Sequence, residues 1–200
     1  ISAIKENVRD PLPYFILGRI AAEHENLQKA AELFAKSAEY NPDDVYALVH
    51  YAKTLSALTQ HNAAKMQADR AVKIGVKDAY LADALGVVYS RAGYHKLAMP
   101  LFAQAVNRHP DHANLQYNFA SSAQFSGDFD AARAGYRKTI ALEHNNYRAW
   151  TSLASLDKQT DEKNMLGDLI SLFNGAGDNA EAKLQIGHAT AKTLEDLGRH

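Results

Sequence analysis

Ala82-Asp83-Ala84-Leu85-Gly86-Val87-Val88-Tyr89, followed by Ala98-Met99-Pro100-Leu101-Phe102-Ala103-Gln104-Ala105 and then by Pro110, is the stretch that decides the fold. Ala82, Leu85, Gly86 and Tyr89 recur at i, i+3, i+4 and i+7, which places them on one face of a helix. Gly93 closes that helix, because glycine tolerates the left-handed backbone found at helix ends. Ala98, Phe102, Ala105 and Val106 form one face of a second helix. Pro110 stops it, since proline has no N–H to donate to the preceding turn. Gly86, Ala98 and Ala105 are small enough for two helix axes to approach closely, while Phe102 and Tyr89 fill the space beside them.

The pattern recurs along the chain. Two periods of 34 residues earlier stand Tyr14, Leu17, Gly18 and Ala21, then Ala30, Phe34 and Pro42. The intervening period has Leu48, Tyr51, Ala52 and Leu55, then Ala64, Ala68 and Ala71. The next has Phe119, Ala120 and Ala123, then Ala132, Tyr136 and Thr139. A fifth opens with Trp150, Leu153 and Ala154 and then degrades: Asp157 stands where an aromatic is expected, and Leu166, Ile170 and Phe173 follow as its second helical face. A register held over four periods without a gap argues against an ordinary helical bundle with accidental periodicity.

This spacing resembles the tetratricopeptide-repeat pattern, W-x2-L-G-x2-Y, then A-x3-F, then P. The resemblance implies an all-α fold: a right-handed superhelical solenoid of antiparallel helix pairs with a concave side. Repeats are expected at 11–44, 45–78, 79–112 and 113–146, with a degenerate one at 147–178. Residues 1–10 align with the end of a second helix, and 179–200 read as the first helix of a further repeat, with Ile186, Ala189, Leu194 and Leu197 on one face. The ends look like those of a piece cut from a longer protein. Such ends lack polar caps, so self-association through them is expected.

Composition narrows the function. Of 200 residues, 46% are apolar, enough for a continuous core; the net charge of -1 argues against nucleic-acid binding through bulk charge. There is no cysteine, which excludes disulfides and thiolate metal sites. Neither a membrane span nor a signal peptide is expected, and the cytoplasm is the expected compartment.

In the family that the chain resembles, a second stripe on each first helix lines the concave groove. Here it reads Leu12, Phe15, Arg19 and Glu23; Tyr46, Val49, Lys53 and Ser56; Tyr80, Asp83, Val87, Ser90 and Arg91; Asn114, Tyr117, Ser121 and Gln124; and Arg148, Thr151, Ser155 and Lys158. Phe15, Tyr46, Tyr80 and Tyr117 supply aromatic anchors. Arg19, Lys53, Arg91 and Arg148, with Lys158, outnumber Glu23 and Asp83. Such a groove suits an extended peptide carrying apolar and acidic residues. The alternative is that the aromatics pack only against neighbouring repeats and the cations solvate a face. The Lys/Asn clamp with which chaperone-binding members grip a C-terminal carboxylate is broken, because Phe15, Arg19 and Lys53 occupy its positions.

Chemistry is sparse. His109 and His112 flank Pro110-Asp111 in a turn, but a metal site needs a third ligand and a supporting shell. His50, His61, His95 and His188 sit in helical patterns as packing or surface residues. Asp43-Asp44 and Asp128/Asp130 lie at helix starts, where acidic side chains complement the dipole. Asn174-Gly175-Ala176-Gly177-Asp178 lacks the Lys and Ser/Thr of a phosphate loop and reads as a connector. No catalytic residue, cofactor or metal is expected in this segment. A protein-interaction scaffold is the leading reading. The rival is the non-catalytic region of a larger transferase, because Ala191-Lys192-Thr193-Leu194-Glu195-Asp196-Leu197-Gly198 is similar to a stretch that joins such repeats to bacterial sulfotransferase domains.

Overall fold

The computed structural model describes residues 9–199. Eleven α-helices and no strand are found among them: α1 Pro11–Glu23, α2 Leu27–Tyr40, α3 Val45–Ala57, α4 His61–Ile74, α5 Ala79–Arg91, α6 His95–Arg108, α7 Ala113–Phe125, α8 Phe129–Leu142, α9 Tyr147–Leu156, α10 Leu166–Gly175 and α11 Ala180–Asp196. The expected repeat end at residues 1–10 lies, apart from Arg9 and Asp10, outside the described residues. The chain divides into two compact units, one up to Arg108 and one from His109.

Helix starts keep the period. Pro11, Val45, Ala79, Ala113 and Tyr147 open helices 34 residues apart, as do Leu27, His61, His95 and Phe129. Asp10, Asp44 and Asp78 cap α1, α3 and α5, accepting hydrogen bonds from Leu12 N, Tyr46 N and Tyr80 N at 3.0, 2.9 and 2.8 Å. Each satisfies an amide that the helix cannot, worth about 1 kcal/mol. The first helices end alike. Residues 25, 59, 93 and 127 are all left-handed: Glu25, Thr59, Gly93 and Gly127 have φ of 57°, 60°, 82° and 81°. The next amide in each case (Asn26, Gln60, Tyr94, Asp128) donates five residues back, to Ala21, Leu55, Tyr89 and Ala123. This is the Schellman motif, and it fixes the angle at which each chain turns into its second helix.

Packing within each pair rests on one contact. A Cβ added to Gly18 would lie 2.8 Å from the Phe34 ring, and one added to Gly86 would lie 2.7 Å from the Phe102 ring. The rings sit flat against bare backbone and are fully buried. In the α3/α4 pair both positions are alanine, Ala52 and Ala68, each buried. In α7/α8 the first helix carries Ala120 and the second carries Tyr136. There the small residue has moved to Gly135, whose added Cβ would meet Ala120 at 2.8 Å. Ala30, Ala64, Ala98 and Ala132 form a further column with no exposed surface. Long polar side chains then tie second helices back to the turns. Arg70 donates to Pro42 O (3.2 Å), Gln104 to Val76 O (2.6 Å), and Lys138 pairs with Asp111 (2.7 Å).

The pattern breaks after α9. Asp157 caps the short α9 in extended conformation, and residues 157–165 are irregular. The next helix starts at Leu166, three residues later than the spacing requires. Its buried face is therefore Leu169 and Leu172, whereas Ile170 and Phe173, expected inside, stay exposed. Helix α11 packs against both α9 and α10. Trp150, Ala154, Leu169, Leu172, Ile186 and Ala189 form one core there. The connector expected at 174–178 begins later, since Asn174 and Gly175 belong to α10.

Two substitutions test these constraints. Gly86→Val should lower stability by roughly 2–3 kcal/mol through collision with Phe102. Phe102→Leu should restore part of that loss, so chemical denaturation of the double variant should be non-additive. Thr59→Gly should stabilise by about 1 kcal/mol, because a β-branched residue is strained at φ 60°.

Candidate functional site

In the first unit, α3 packs against α1 and α5, so the three first helices present one face. The Asp caps hold the amides of Leu12, Tyr46 and Tyr80 at the first turn of each helix. The side chains of these three residues stand at one register position of α1, α3 and α5, a ladder in sequence register, and are 58%, 54% and 51% exposed. A row of exposed apolar side chains rimmed by polar groups is a candidate interaction surface.

Farther along α3 and α5 lies a pocket of about 300 Å³. Lys53 and Arg91 stand on its rim with Asp83, and Val87, Val88 and Ala57 supply apolar wall. Two cations against one carboxylate leave the pocket positive. Ser56 also lines it, but its Oγ is buried without a hydrogen-bond partner. Arg19, on α1, is exposed and pairs with Glu23 at 3.3 Å. Between such exposed side chains an ion pair is weak, so Arg19 remains available.

Phe15 lies differently from Tyr46 and Tyr80. It is half-buried, with its ring 5.9 Å from Phe34 and 5.4 Å from His50. It braces the wall of the face. Val49, expected on the open stripe, is wholly buried, and Ser56 nearly so, because neighbouring helices cover that side of α3. In the second unit, Tyr117 and Arg148 meet: the Arg148 guanidinium lies 4.7 Å from the Tyr117 ring centroid. Tyr117 is also packed 5.6 Å from Tyr136, whose hydroxyl donates to Gln124 at 2.7 Å. This arginine is thus held on an aromatic face, an arrangement worth about 0.5–2 kcal/mol depending on burial.

His50, read from the sequence as a packing or surface residue, is a packing residue with a perturbed ionisation. It occupies the position of Ile16 in α1 and Ala84 in α5, and it lies 5.6 Å from Phe34 as well as beside Phe15. Burial among these rings, with Lys53 and Arg19 nearby, lowers its pKa to about 4 despite Asp44. The column itself gave no signal, since Asn118 and Ser152 are also polar in it.

Among the described residues no group of three His or acidic side chains could hold a metal ion. No helix of the described residues is long and apolar enough to cross a membrane.

Comparison with known proteins agrees with this architecture. No family model matches the chain. YrrB, a TPR protein with an unusual peptide-binding site, superposes with a TM-score of 0.70 at 18% identity, covering 100% of this chain and 92% of that one. MamA from Desulfovibrio magneticus RS-1 does so with a TM-score of 0.67 at 14% identity, over 92% and 96%. The fold is that of the tetratricopeptide-repeat proteins. In sequence, the chain is 30% identical over 114 residues to cellulose synthase operon protein C of Pseudomonas fluorescens (strain SBW25), covering 54% of this chain and 9% of that protein. It is 22% identical over 131 residues to tetratricopeptide repeat protein 7A of Homo sapiens, covering 66% and 15%. The chain therefore spans a small part of each of these relatives.

His50 makes stability depend on pH. The unfolded state takes a proton near pH 6.5, whereas the folded state resists it until about pH 4. Its contribution is complete above pH 6.5 and is lost as pH falls toward 4. Denaturant titrations at pH 7 and pH 4.5 should show His50→Gln losing about 1 kcal/mol less than the parent across that interval, after allowance for solvent screening.

Proposed function

We propose that this chain is a protein-interaction scaffold whose first-helix face takes an extended segment of a partner protein bearing apolar and acidic residues. The observation that carries the reading is the exposed Leu12/Tyr46/Tyr80 ladder, with the Lys53/Arg91 pocket farther along α3 and α5. Apolar side chains of the segment would lie on the ladder, and an acidic side chain would reach the cations. Tyr117 and Arg148 would extend the same mode of binding in the second unit. The likeness to YrrB, itself a peptide-binding TPR protein, supports the reading. The repeat boundaries proposed are 11–44, 45–78, 79–112, 113–146 and a degenerate 147–178. Nothing in the comparisons favours the sulfotransferase alternative.

The test is selection from a displayed library of extended peptides, followed by affinity measurement on variants. Selected peptides should be enriched in aromatic or aliphatic residues and in Asp or Glu. Tyr46→Ala with Tyr80→Ala should cost about 2 kcal/mol or more, mainly as faster dissociation. Lys53→Glu with Arg91→Glu should mainly slow association and flatten its salt dependence. Indifference of all selected peptides to both pairs of changes would place the binding surface elsewhere.

A further inference from the structure

Two of the junctions between a second helix and the following first helix, α4–α5 and α8–α9, differ in charge. Lys65, Asp69 and Tyr89 lie two repeat periods before Arg133, Arg137 and Asp157. At the earlier junction one carboxylate serves everything: Asp69 pairs with Lys65 at 2.7 Å and accepts from the Tyr89 hydroxyl at 2.8 Å. At the later junction the carboxylate has moved to the end of α9. Asp157 accepts two parallel hydrogen bonds from Arg133, both 2.8 Å, and Arg133 also reaches Asp130 at 2.6 Å. Arg137 now stands where Asp69 stood.

The exchange leaves a surplus. Among the described residues Arg137, Lys158 and Lys163 form no ion pair, and all three border one pocket of about 360 Å³. Its floor is apolar, made by Leu153 and Met165. It opens where the irregular segment 157–165 replaces the expected start of a helix. The Asp157 carboxyl is held below the usual carboxylate range, first by the hydrogen bonds from Arg133, with Lys163 and Arg137 adding to it. It stays ionised but is already engaged by Arg133.

The walls are fixed. Thr160 and Lys163 exchange backbone hydrogen bonds at 3.1 Å each, and Asn164 donates to Thr160 O and Asp161 O. Lys192 donates to Ala154 O and Asp157 O at 3.0 Å, and Asp196 accepts from Gln159 N at 2.9 Å. A preformed pocket loses little entropy when it is filled.

We propose that this pocket binds a phosphate monoester carried on a small apolar body. A phosphate monoester carries nearly two negative charges at neutral pH and three strong acceptor oxygens. That matches three unpaired cations better than a single carboxylate does. The planar fork of Arg137 suits two oxyanion oxygens at once. Leu153 and Met165 accept the apolar body, and the volume lies within the range of small-ligand sites. The inference is independent of the groove in the first unit.

The experiment is a titration of the isotopically labelled 200-residue chain with phenyl phosphate, followed by amide chemical shifts. Saturable shifts are expected at residues 153–165, weakening with added salt. Arg137→Gln with Lys163→Gln should raise the dissociation constant roughly tenfold or more while leaving the helical spectrum unchanged. Benzoate should bind more weakly than phenyl phosphate. A short phosphotyrosine peptide, titrated in parallel, separates two sources of the same chemistry. Tighter binding of the peptide assigns the phosphate to a partner protein, and equal binding assigns it to a small ester. Absence of saturable shifts with both probes, an unaffected double variant, or equal binding of benzoate would overturn the proposal.

Discussion

The contact of a phenyl ring with bare helix backbone is the constraint on which the rest depends. Gly18 against Phe34 and Gly86 against Phe102 bring two helices closer than any side chain at the glycine would permit. Helix pairs formed this way still carry uncovered apolar faces, which the next pair must bury. The contact is not conserved atom for atom within the chain. Ala52 with Ala68 meets it with two small residues, and Ala120 with Tyr136 meets it by shifting the glycine to position 135. What persists is a small residue on the first helix of each pair, Gly18, Ala52, Gly86 and Ala120, which lets the two axes approach.

The spacing then does a second task at the ends of helices. Because Asp10, Asp44 and Asp78 recur at one register position, the backbone two places on recurs in one capped conformation, and Leu12, Tyr46 and Tyr80 share that position exposed. The Schellman turns act in the same way at the other end. Glu25 and Thr59 adopt left-handed backbone at some cost, so the geometry of the turn outweighs residue preference there.

The fold was largely legible because its decisive residues are large or very small and recur at a fixed interval. Gly86 and Phe102, Ala98 and Ala105 announce the helix pair before any coordinate is known. Position on the groove was legible less evenly. Tyr46, Tyr80, Lys53 and Arg91 lie where helical spacing puts them, but Val49 is covered and Phe15 is drawn inward. Whether a stripe residue is open depends on how neighbouring helices cover it, which the spacing within one helix does not encode. The perturbed ionisation of His50 was hidden for a related reason: it arises from Phe15, Phe34, Lys53 and Arg19 on three helices. The burial of Leu169 and Leu172 instead of Ile170 and Phe173 follows from a late helix start, set by hydrogen bonds in segment 157–165 that no periodic signal reports.

Loss of periodicity at that segment also changes what the surface can do. At the α4–α5 junction charge is balanced locally, Lys65 against Asp69. Once Asp157 replaces the aromatic, its carboxylate must be satisfied. Arg133 supplies two hydrogen bonds, and Lys192 and Gln159 bond to the carbonyls around it. Those contacts hold the chain in an extended path where a helix would otherwise begin. The space normally filled by that helix is left lined by Leu153, Met165 and three cations. Several changes of residue type at this junction, Arg137 and Asp157 among them, thus accompany a cavity with its own charge. The segment after α9 is where this chain departs most from its own periodicity.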